Sequence, residues 1–183
     1  MNVGIVGPSP VPYTQGGMEI FLWNLCDSIN QKSIHKAEII KLPCKENDFW
    51  SLLESYYRFY KLDLSHFDVV ICTKYPAWMV RHNNCIYYMC HCLRGLYDTY
   101  HLTGLPKKTE RGNKNIDRVL DYIESNPLPD NFDCFFDMLF ELKEIPGIPD
   151  RFFTHPGSFI RDIIHYLDKG AMSRPYNSRF SFS

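Results

Sequence analysis

Four short, largely apolar segments constrain this chain more than any other feature, and the last two of them are apolar at consecutive positions. They are residues 2–7 (NVGIVG), 37–42 (AEIIKL), 67–73 (FDVVICT) and 85–91 (CIYYMCH). A strand with one wet face alternates apolar and polar positions, whereas a strand that is apolar at neighbouring positions is covered on both faces, as in a parallel sheet. Between the runs the period turns helical. Leu22, Leu25, Cys26 and Ile29 share one face, as do Phe49, Leu52, Leu53, Tyr56, Tyr57 and Tyr60 within residues 46–61. Strands alternating with helices predict an α/β fold: a Rossmann-like, doubly wound, mostly parallel sheet in a single domain.

The 183 residues are enough for one generous domain that needs neither metal nor disulfide to fold. Twenty basic residues against twenty-one acidic ones leave a formal charge of −1, which removes the electrostatic footprint of a nucleic-acid binder. No stretch approaches the roughly 18 apolar residues of a membrane span, and the opening MNVGIVGP lacks the basic and apolar regions of a signal peptide. Seven scattered cysteines without such a signal predict reduced thiols in a cytoplasmic protein. The aromatic helix of residues 46–61 reads as core, with peripheral membrane contact as the alternative; its Arg58 and Lys61 face Glu46, Asp48 and Glu54, whereas interfacial helices carry many cations.

The second half has weaker signals. Residues 93–101 read as a helix, 105–115 (LPKKTERGNKN) as a basic solvated loop, and 115–124, 133–143 and 158–167 as further helices. Residues 169–183 have no convincing period and are expected to be a frayed tail or an interrupted connection.

In open α/β sheets ligands bind beyond the carboxyl ends of the strands. That rule selects Gly7 through Gly17, Thr73-Lys74-Tyr75, and His91 through Arg94. Gly16-Gly17 opens a helix, whose amides carry partial positive charge that a phosphate can approach where side chains are absent; the other reading is a turn that needs glycine. The spacing does not fit the G-x-G-x-x-G dinucleotide fingerprint, because a long proline-bearing loop follows Gly7. Lys74 follows its strand and His91 ends its own, and Arg94 and Asp98 stand four apart just beyond, with His91 open to a catalytic or a structural role. Cys90-His91-Cys92 is not read as a metal site, since alternation along a strand points His91 away from the two thiols.

NVGIVGPSPVPYTQGGMEIFLWNL resembles the opening of the GT-B glycosyltransferases of family 4: a short strand, a proline-bearing loop, and Gly-Gly before the first helix. IYYMCHCLRGLYDTYH is similar to that family's Tyr-x-x-His strand end followed by Arg and Tyr-Asp, here Tyr88, His91, Arg94, Tyr97 and Asp98. The likeness covers residues 1–101, is vague through 105–156, and returns over 158–168, with Asp168 in a familiar place. It implies transfer of a sugar, with retention, from a UDP-, GDP- or ADP-linked donor to an unidentified acceptor. It further implies donor phosphates at Gly16 and Gly17, a catalytic His91, substrate contacts from Lys74, Arg94 and Asp98, and no metal or other cofactor.

The departure from that family is equally plain. Its members hold most of the donor in a second Rossmann-like domain bearing Glu-x7-Glu, and Asp130, Asp133, Asp137, Glu141 and Glu144 do not form that pair. The resemblance therefore implies an N-terminal, acceptor-side domain over residues 1–168, with 169–183 as the start of the interdomain connection. Such a chain is expected to be inactive without its partner domain. The alternatives are a non-catalytic Rossmann-like binding module and an NAD(P)-dependent enzyme.

Overall fold

The computed structural model describes residues 1–9, 16–88, 91–129, 131–174 and, for the backbone alone, 177–180. The elements in order are β1 (Asn2–Ser9), α1 (Gly17–Lys32), β2 (Lys36–Pro43), α2 (Phe49–Lys61), β3 (Val69–Cys72) and β4 (Cys85–Tyr88). Two 3₁₀ turns, Arg94–Leu96 and Tyr100–Thr103, lead to α3 (Lys114–Ser125), α4 (Asp133–Glu144), α5 (Ser158–Met172) and β5 (Asn177–Phe180). The chain forms two compact units. The sheet unit comprises Met1–Glu46, Ser51–Cys92 and the strand Asn177–Phe180; the helical unit comprises Asn47–Trp50 and Leu93–Arg174.

The sheet runs β2-β1-β3-β4-β5 with every neighbouring pair parallel. The chain steps outward from β1 to β2, then back across β1 to β3, which makes the sheet doubly wound and Rossmann-like. Right-handed connections of this kind put α1 and α2 on opposite faces. Register explains the unbroken apolar runs. Ile5 pairs with Ile39 on one side and Ile71 on the other, a row that packs with Val3 and Ala37 beneath Leu22 and Cys26 of α1. The intervening residues Val6, Val70 and Cys72 are buried as well, so both faces are dry.

Asn30, near the end of α1, pins this arrangement. Its Oδ1 accepts from the Ala37 N–H at 2.9 Å and its Nδ2 donates to the Ala37 carbonyl at 3.0 Å. The apolar face of α2 is core: Leu52, Leu53, Tyr56, Phe59 and Tyr60 are all buried. That face is therefore not available to a membrane surface. The large exposed apolar side chains of α1 are instead Ile20 and Trp23, 53% and 56% exposed.

In the helical unit aromatic rings fill the core. Tyr166 meets Phe135 at 4.6 Å and Phe132 at 6.0 Å between centroids, and Gly170 is so close to Phe132 that a Cβ there would lie 2.6 Å from the ring. The helices expected over 115–124 and 133–143 form within one residue of those bounds, and the one expected over 158–167 starts at Ser158 and runs on to Met172.

Two expectations are corrected here. Residues 93–101 make 3₁₀ turns rather than a helix, because the Thr99 N–H and hydroxyl both return to the Arg94 carbonyl, at 3.1 and 2.9 Å, and close the turn early. The stretch expected to be structureless supplies the last turn of α5 and a fifth strand, which gains its hydrogen bonds from β4 rather than from any pattern of its own.

Candidate functional site at the carboxyl edge of the sheet

The reversal of winding lies between β1 and β3, and a crevice at such a point is where open α/β sheets bind ligands. Here a cavity of about 90 Å³ is lined by Pro8, Met18, Glu19, Leu22 and Lys74. Thr73 closes the strand ends together: its hydroxyl and its N–H both donate to the Val6 carbonyl, at 3.0 and 3.2 Å. The next residue, Lys74, is thereby delivered to the mouth of β1.

Gly16 is the N-cap of α1 and Gly17 its first residue, with open space where a Cβ would stand on Gly17. The helix start is already occupied in part. Glu19 folds back so that its carboxylate accepts from the Gly16 N–H at 3.0 Å, and Lys41 Nζ lies 3.5 Å from its other oxygen. Burial would raise the Glu19 pKa, but N–H donation from Glu19 and Gly16 and the Lys41 charge outweigh it, and the carboxyl stays below its usual range. An anion approaching Gly16 therefore meets a resident carboxylate, while Gly17 remains open.

Tyr75 lies in a segment that the strand-end rule selects, but the sequence gives it no role. It is buried, and its hydroxyl donates to Glu46 Oε1 at 2.7 Å; burial first, and then the Glu46 carboxylate, push its pKa up, so the phenol stays protonated. Lys74 Nζ sits 4.7 Å from the centre of its ring, and the His91 ring meets it edge-on at 5.8 Å. Two of the expected site residues thus rest on one aromatic side chain. Strand-end position brought Tyr75 into the selected segment, but it does not announce these ring contacts.

His91 is exposed and follows β4 rather than belonging to it, since the strand ends at Tyr88. Its Nδ1 lies 3.0 Å from the Cys92 carbonyl; a carbonyl can only accept, so Nδ1 is the donor in that contact. Tyr88 stacks on Phe21 of α1 at 4.9 Å, which ties the end of β4 to the second turn of that helix. Because His91 lies beyond the strand, the alternation argument against zinc does not extend to it. Cys90 lies outside the described residues, and among the described residues no three His, Cys, Asp or Glu side chains are grouped to hold a metal.

Arg94 and Asp98 belong to the helical unit, where they pair with each other at 2.9 Å, both more than half exposed. The Asp98 carboxyl is held below its usual range by that hydrogen bond. Beside them Tyr97 donates to the buried Asp168 at 2.6 Å and stacks on His165 at 3.9 Å. Among the described residues no helix is long and apolar enough to cross a membrane. Compared with protein-family models, with curated proteins and with solved structures, the chain matches none.

Proposed function

We propose that this chain is the acceptor-side, N-terminal domain of a retaining glycosyltransferase of the GT-B type, and that a nucleotide-sugar donor lies along the carboxyl edge of its sheet. The observation that carries the reading is the placing near the β1–β3 reversal of an open helix start at Gly17, of Lys74 in the cavity that the next residues of that helix line, and of the His91 imidazole on the Tyr75 ring that also carries Lys74. A helix N-terminus and a lysine are the groups that stabilise a departing diphosphate without a metal. Contact with a membrane surface would run through Ile20 and Trp23 of α1.

One helix start and one lysine contribute a few kcal/mol at most, so the isolated chain should bind nucleotide sugars at millimolar strength and turn none over. Titration with UDP-, GDP- and ADP-glucose, followed by amide and imidazole NMR, tests this. Joint movement of the Gly17, Lys74 and His91 resonances for one of the three supports the proposal, as does its loss in Lys74→Ala. Silence of all three sites would overturn it. The Glu19 carboxylate on the Gly16 amide favours a second reading, a non-catalytic binding module whose helix start is closed to anions. Under that reading Glu19→Ala, which frees the Gly16 N–H, would open the site to inorganic phosphate while nucleotide sugars still failed to bind.

A further inference from the structure

Within the helical unit, α3, α5 and the loop before α3 enclose a second cavity of about 520 Å³, a volume typical of small-molecule sites. Part of its lining is apolar, with Leu120 and Ile123 from α3, Pro127, and the ring of Tyr166 from α5. The rest is charged, and those charges are unequally committed. Arg111 is spent on two carboxylates, donating to Asp121 at 2.6 Å and to Glu124 at 2.8 Å. Asp162 is held by Thr109, whose N–H and hydroxyl donate to it at 3.1 and 2.6 Å. Lys108 and Lys169 also line the cavity and enter no ion pair among the described residues.

Two residues of the same wall carry further polar groups. Tyr166 is 4% exposed, and its buried hydroxyl has no hydrogen-bond partner among the described residues, an arrangement native proteins seldom leave unmet. His165 donates from Nε2 to the Leu96 carbonyl at 2.9 Å, so its Nδ1 is a free lone pair, and burial holds the ring neutral. An apolar wall beside two uncommitted ammonium groups is the lining that suits a molecule with one greasy end and one anionic end.

We propose that this cavity binds an amphiphilic anion: a small molecule with an apolar or aromatic body and one carboxylate, sulfonate or phosphate group. The body lies against Leu120, Ile123 and Tyr166, and the anionic group is held by Lys108 and Lys169. The proposal uses residues of the helical unit alone and stands whether or not the sheet edge binds a nucleotide sugar.

The test uses the whole chain, with naphthalene-1-sulfonate as the probe and 1-naphthol and inorganic phosphate as its two halves. In amide NMR the sulfonate should saturably shift Thr109, Ile123 and Lys169, each half should bind more weakly, and raising the ionic strength from about 0.05 to about 0.5 M should weaken the sulfonate but not naphthol. Lys108→Ala with Lys169→Ala removes two exposed cations without disturbing the core, and should weaken the sulfonate about tenfold while leaving naphthol unchanged. Retention of sulfonate affinity within about twofold in that double variant would overturn the proposal. So would saturation confined to Gly17, Lys74 and His91, which would place the anion at the sheet edge instead.

Discussion

Glu19 stands three residues beyond Gly16, where a carboxylate can turn back onto the first amides of a helix, and it does so within reach of Lys41. Its side chain is 14% exposed, so the ion pair and the helix field are only partly screened. Replacing it with glutamine keeps an acceptor for the Gly16 N–H and removes only the charge. We expect Glu19→Gln to lower stability by about 0.5–1 kcal/mol at neutral pH. Because the folded-state pKa lies below 4.5, the stabilisation is present above that value and is lost as pH falls through the folded pKa. Urea midpoints of the two proteins should therefore differ at pH 7 and converge in acid; a constant gap would show that the charge is not the source. Tyr75 teaches a different lesson at this scale. Its hydrogen bond to Glu46 joins residues 29 positions apart, and no local pattern announces such a contact.

Each helix of the sheet unit earns its place through one apolar face, and both faces were legible in the sequence because burial repeats with the helical period. What the period could not reveal is how α1 is held against β2. Asn30 does this by offering both halves of its amide to Ala37. Asn30→Ala should cost about 1–3 kcal/mol, because two backbone groups lose a buried partner. Asn30→Asp should recover only the bond to the Ala37 N–H and fall between. Equilibrium urea unfolding of the three proteins decides it, and equal midpoints would assign the clamp no energetic role. The two 3₁₀ turns at Arg94–Leu96 and Tyr100–Thr103 are the element the sequence misled on, since a helix and a succession of tight turns share the same apolar spacing over nine residues.

Across the molecule, β5 shows most clearly what depends on long-range pairing. It aligns Asn177 with Cys85 and Phe180 with Tyr88, placing itself beyond β4 at the end of the strand order. A chain ending at residue 174 should lose several ladder bonds worth roughly 1 kcal/mol each, and should leave β4 as an open edge prone to pair with another copy. Lower thermal stability together with association in sedimentation is the expected outcome; an unchanged, monomeric protein would mean that β5 adds nothing. The pattern of residues 2–91 by itself determined the parallel α/β class, because strands apolar at consecutive positions have to be covered on both faces. It also determined which loops reach the carboxyl edge, because every strand of a parallel sheet ends on the same side. Tertiary structure alone decided that Glu19 meets the Gly16 amide, that Tyr75 carries both Lys74 and His91, and that Asn177–Phe180 becomes a strand. Burial is written in local periodicity, whereas a hydrogen bond or a ring contact between distant positions depends on where the packed elements finally bring those groups.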